Sequence, residues 1–126
     1  MRAREFILEM TKSELDAVKQ FCDELWGRLG VSVTFTSHFI ERLDDIRNGK
    51  PITQGELVRL FKKEYALYGK EIADLPDEAE GVMTDVMTHI NLPFVTTHDG
   101  LDTELVAKTI MRKPTFQSTS KFFKIR

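Results

Sequence analysis

Residues 81–113, GVMTDVMTHINLPFVTTHDGLDTELVAKTIMRK, decide the fold, because here the chain leaves the helical pattern of its first half for short β-branched runs separated by turn residues. GVMTDVMTH, LPFVTTH and DTELVAKTIMRK read as successive strands, with NLP and HDG as tight connections. Strands joined by links this short imply an antiparallel meander, since a parallel return needs a much longer crossover. Pro93 has no amide hydrogen to give a ladder, so it belongs at a strand start or on an edge. KFFKIR, residues 121–126, supplies a fourth strand, and the TFQSTSK before it reads as a loop.

Working outward, the first half is helical. Thr11 with Glu14 has the form of a capping box, and Leu15, Val18, Phe21, Cys22, Leu25 and Leu29 keep helical spacing until Gly27 and Gly30 weaken it. VSVTF, residues 31–35, is a short extended entry to a helix through HFIERLDDIRN, which NGKP should end. Thr53 with Glu56 forms a second capping box, opening a helix through ELVRLFKKEYALY to Gly69. The class is therefore α+β, with N-terminal helices packed on a C-terminal antiparallel meander of about four strands. At 126 residues and 41% hydrophobic, residues 1–126 suffice for a single domain, mainly helical over 1–69 and mainly strand over 80–126, with no disulfide or structural metal required.

Cys22 is the sole cysteine, so an intramolecular disulfide is impossible and a reducing compartment fits, with Cys22 itself read as a small buried hydrophobe. MRAREFILEM mixes charges into a short apolar run and has the form of neither a signal peptide nor a membrane span, which predicts a soluble cytoplasmic protein with no membrane partner. The net charge of -2 conceals a split: from residue 105 onward there are six basic residues, Lys108, Arg112, Lys113, Lys121, Lys124 and Arg126, and no acidic one, whereas 69–104 holds nine acidic residues against Lys70. That distribution permits one basic face on an acidic body, suited to binding phosphate locally. The acidic 71–104 segment is the candidate surface for a protein partner. The chain has no phosphate-binding glycine loop, no G-x-S-x-G elbow and no H-E-x-x-H helix, so no cofactor and no metal is called for.

Two constellations carry chemistry. In TSHFIERLDD, residues 36–45, His38 and Arg42 stand one helical turn apart with Glu41 and Asp45 beside them, while Phe39, Ile40, Leu43 and Ile46 take the other side. The plain reading of that ridge is surface ion pairing, Glu41 with Arg42 or Asp45 with Arg47. In VAKTIMRK, residues 106–113, strand alternation sends Val106, Lys108, Ile110 and Arg112 to one face and Ala107, Thr109, Met111 and Lys113 to the other. Cations inside a central-looking strand need a partner or a ligand, because an unpaired buried charge is expensive.

The H-x-x-E-R helix opening, the capped ITQGELVRLF helix and the late TIMRK strand together resemble the phage-encoded members of the barnase, EndoU, colicin and RelE-like group of small metal-independent ribonucleases. The likeness spans residues 35–68 and 80–126, and the first half is also similar to the phage endoribonuclease that trims early messages. The resemblance implies RNA cleavage by attack of the ribose 2′-hydroxyl on the adjacent phosphorus, which requires a base, an acid and stabilisation of the phosphorane. His38 is then base or acid, with Glu41 as the alternative base. Arg42 and Arg112 clamp phosphate oxygens, Lys108 or Lys113 adds a point charge, and Thr109 donates a hydrogen bond. Lys121 and Lys124 extend the RNA-binding surface. Strict alternation separates Thr109 from Arg112, so a bulge is needed for both to act. His89 and His98 stand at strand ends, where a second catalytic histidine could sit but a turn or edge residue is the plainer reading, and Tyr65 and Tyr68 could stack on a base, with core packing or a helix-end contact the plainer reading. The alternative is a noncatalytic virion-associated or host-factor-binding protein whose acidic segment engages the partner.

Overall fold

Both capping boxes form as their spacing requires. Thr11 accepts from the Glu14 amide while Glu14 accepts from the Thr11 amide, opening α1 (Lys12–Trp26); Thr53 and Glu56 do the same for the helix Gln54–Ala73. The computed structural model describes residues 10–126, so the reading of MRAREFILEM lies almost wholly outside the described residues. After α1 and one 3-10 turn come β1 (Val31–Phe35), α2 (Ser37–Arg42), a 3-10 turn at Ile46–Asn48 and α3 (Gln54–Ala73), then β2 (Ala79–Asp85), β3 (Ile90–Asp99), β4 (Asp102–Ala107), β5 (Met111–Arg112) and β6 (Lys121–Ile125). The helix expected through HFIERLDDIRN stops at Arg42. There Asp45 turns outward to cap the 3-10 turn through the Arg47 amide. Conversely, α3 runs past Gly69, whose missing side chain lets Leu29 and Tyr65 close in: a Cβ there would lie 3.1 Å from Leu29 Cδ1.

The fold is α+β, but the sheet is mixed rather than an antiparallel meander. Its order is β1-β4-β3-β2-β6, with β5 beside β3. Only β2, β3 and β4 form the expected meander; β1 lies parallel to β4 and β6 parallel to β2, so the VSVTF entry is a full edge strand. The turn between β2 and β3 is residues 86–89, not NLP, and His89 closes it at φ 61°. Both edges are blunted. The Asp23 carboxylate accepts the Val33 amide at 3.0 Å on one side, and the Tyr68 hydroxyl donates to the Lys124 carbonyl at 2.8 Å on the other.

Pro93 sits inside β3, the central strand, paired with Val82, which corrects its assignment to a strand start or edge. Its carbonyl accepts from the Lys108 amide at 2.9 Å, so its nitrogen faces the side where residues 108–110 leave the ladder between β4 and β5. A missing donor costs nothing opposite that gap.

One sheet face carries Val33, Met83, Leu92, Phe94, Leu105 and Phe123 into a core with Val18, Cys22 and Trp26 of α1 and Leu57, Leu60 and Phe61 of α3. No helix among the described residues is long and apolar enough to cross a membrane. Between β5 and β6 the chain must pass β3 and β2, and it does so over the face away from the helices, where Phe116 of the 113–120 loop meets Phe122. Lys113 and Pro114, at the start of that crossing, line the concave surface beside it.

Candidate phosphate-binding site

Asn48 brings the short second helix against the late strands. Its buried side chain donates to the Arg42 carbonyl at 2.7 Å and accepts the Arg112 amide at 2.9 Å, stapling the end of α2 to β5. The result is a hollow of about 420 Å³ between Arg42, Asp45 and Arg47 on one wall and residues 110–114 on the other. Asp45 accepts from Arg47 Nε at 3.0 Å and Nη2 at 2.9 Å, with Arg42 Nη1 at 3.4 Å, and the Arg47 hydrogen bonds hold its carboxyl well below the usual carboxylate range. Lys113 has no ion pair among the described residues. Three cations, Arg42, Arg47 and Lys113, therefore face this hollow against the single carboxylate of Asp45.

Arg112 borders the same hollow, but its guanidinium is committed elsewhere. Nη1 and Nη2 each donate to Glu56 at 2.9 Å, and they also reach the Thr88 carbonyl at 3.1 Å and the Pro51 carbonyl at 3.2 Å. Burial opposes ionisation of Glu56, yet the Arg112 hydrogen bonds and the Thr53 amide outweigh it and lower its pKa. Arg112 thus ties the start of α3 to the β2–β3 turn. It holds the fold and has no second pair of donors to clamp a phosphate.

The remaining expected residues scatter. His38 and Glu41 are exposed on α2 and are not among the residues that line the hollow beside Arg42. Residues 108–110 do break the strand alternation between Thr109 and Arg112, but Thr109 does not line this hollow. Lys108 lies 3.6 Å from Glu80, and Lys121 pairs with Glu71 while lying 5.1 Å from the Phe123 ring centroid. His98 has both ring nitrogens engaged, at 2.6 Å from the Leu75 carbonyl oxygen and 2.9 Å from Thr103 Oγ1. Tyr65 packs edge-on to Trp26 at 5.6 Å and Tyr68 edge-on to Phe123 at 5.4 Å, so both serve the core. Much of the acidic 71–104 segment is likewise spent internally: besides Glu71 and Glu80, Asp77 accepts the His98 amide, Asp85 pairs with Arg59 and Glu104 accepts from Thr34.

A second hollow, of about 200 Å³, adjoins the first and shares Lys113 and Pro114 with it. Buried Thr84, Asp85 and Asn91 line its floor, and exposed His89 and Lys124 and half-exposed Phe116 and Phe122 stand around it. Lys124 makes no ion pair among the described residues and holds Nζ 5.6 Å from the Phe122 centroid. Sequence reading found Lys113 and Lys124 but missed Phe122, since KFFKI does not tell which Phe faces the core (Phe123 does), and Phe116, which stands in the TFQSTSK loop.

Asp85 of this lining and Glu64 of α3 form a pair of buried carboxylates that sequence reading also missed. Asp85 accepts from Arg59 Nε at 2.8 Å and from the Met87 amide at 3.0 Å; burial opposes its ionisation, but these bonds prevail and its pKa is lowered. Glu64 is fully buried with no well-formed hydrogen bond to either carboxyl oxygen. Burial, opposed only by the nearby Thr84 amide and reinforced by the charge of Asp85, pushes its pKa up to about 9. The signal was present: Glu64 falls on the stripe of Leu57, Leu60 and Phe61, three residues after the last of them. Burial also raises the pKa of the Cys22 thiol, with Asp23 adding to the effect. Among the described residues no group of three or more His, Cys, Asp or Glu could hold a metal ion. No protein-family model, curated protein or solved structure matches the chain.

Proposed function

We propose that this protein binds RNA, gripping the phosphate backbone at Arg42, Arg47 and Lys113. The observation that carries the reading is the first hollow, where three cations meet one carboxylate and Lys113 lies at the junction with a second, aromatic hollow. Cations collected at a concave surface of a chain whose net charge is -2 favour local phosphate contact over general adhesion to polyanions. Binding through about three phosphate contacts to a single strand gives a log–log salt slope of roughly -2. Fluorescence anisotropy of a labelled RNA 12-mer across a salt series tests this. Lys113→Ala and Arg47→Ala should each weaken binding and flatten the slope by roughly 0.7. Affinity that ignores salt, or is unchanged in both variants, would overturn the proposal.

A second reading, metal-independent endoribonuclease, is favoured by one observation: the exposed His89 imidazole shares the second hollow with Lys113 and Lys124. Transesterification needs proton transfer at the reacting oxygens and cationic stabilisation of the phosphorane; an imidazole is suited to the first and the two ammonium groups to the second. Labelled RNA incubated with the protein in chelator should then yield cyclic phosphate ends. His89→Ala should lower that rate by orders of magnitude and His38→Ala should not. Cleavage that survives His89→Ala but fails in His38→Ala would move the chemistry back to α2, and intact RNA across a broad pH range would leave binding alone.

A further inference from the structure

We infer that the second hollow receives an unpaired nucleobase, so that the RNA bound is single-stranded; this rests on the phosphate-binding reading of the first hollow. The rings of Phe116 and Phe122 stand 6.1 Å apart at 68°, forming a corner rather than a stack. Phe122 rises from the helix-free sheet face and Phe116 descends from the 113–120 loop, and both remain half-exposed. Such a corner offers one ring face to a planar ligand and an edge to close over it. Lys113 on one side and Lys124 on the other give the backbone of a base seated there two cations to follow. In an A-form duplex the base faces are stacked inside, so only an unpaired base reaches these rings.

The floor of the hollow also bears on selectivity. Asn91 donates to the His89 carbonyl at 3.1 Å and the Lys113 carbonyl at 2.9 Å, and its oxygen accepts from Thr84 at 3.0 Å. Its donors are used in fixing the rim, so they do not read a base edge. The base is held by stacking, which every base offers, and the preference among bases is weak.

Three ligands separate the alternatives in anisotropy titrations with the full chain: a single-stranded RNA 12-mer, the same sequence as a blunt duplex, and a fully abasic 12-mer. Stacking of one base corresponds to about 5-fold or more in affinity, so the single strand should bind at least that much more tightly than the other two. Phe122→Leu keeps the apolar volume without the aromatic ring, and Phe116→Ala changes only a loop residue; each should erase the difference while leaving affinity for the abasic strand unchanged. Duplex bound as tightly as single strand, or variants that weaken all three ligands alike, would overturn the base site while leaving the phosphate site standing. Failure of all three ligands to bind at low salt would overturn the phosphate reading and this inference with it.

Discussion

Replacing Glu64 with Gln should change how stability depends on pH. Glu64 is fully buried, and its pKa is raised from 4.5 to about 9. Between those values the folded chain carries a proton here that the unfolded chain has released, so stability from this group is greatest below pH 4.5 and is lost as pH rises toward 9. The slope is up to about 1.4 kcal/mol per pH unit, which amounts to roughly 3 kcal/mol between pH 4.5 and neutrality. Glutamine matches the shape of the protonated acid but cannot ionise, so Glu64→Gln removes this slope whatever its constant offset. Urea denaturation of both proteins at pH 5.5, 6.5, 7.5 and 8.5 measures the difference at each pH, and the three histidines, common to both, cancel. The stability of Glu64→Gln relative to the parent should climb steadily over the series. Parallel profiles would mean that Glu64 is already ionised in the fold and that the account of its burial is wrong.

Three further outcomes follow from packing and pairing. Arg112→Met should cost about 3–5 kcal/mol by stranding Glu56, and a cycle with Glu56→Leu should show strong coupling in urea denaturation; a near-neutral single variant would return Arg112 to the candidate ligand-binding set. Gly81→Ala would place a Cβ 2.6 Å from Phe94 Cζ and 2.9 Å from Phe123 Cε2, so it should lose roughly 1–3 kcal/mol and lower Tm by several degrees, whereas an unchanged Tm would show that the two rings yield freely. Cys22, buried with a raised pKa, should react with a thiol reagent at pH 8 only at the rate of unfolding, and reaction as fast as free cysteine would show that the α1 packing opens readily.

What sequence alone determined here is what short-range chemistry controls. The capping boxes at Thr11 and Thr53 are contacts three residues apart, so the start of α1 and α3 could be read directly. The helical first half, the β-rich second half, the loop at TFQSTSK and the burial of Cys22 also follow from periodicity and turn chemistry. Only tertiary structure decided who neighbours whom. A period of two assigns residues to faces but names no partner strand, so the parallel pairings of β1 with β4 and β6 with β2 were invisible, and with them the gap that accommodates Pro93. The same holds for the cations. Their presence near the C-terminus was legible, but Arg112 turned to a carboxylate 56 residues away while Lys113, its neighbour, was left facing two hollows. Charge is a property of the residue, whereas its availability to a ligand is set by whichever distant group the fold places beside it.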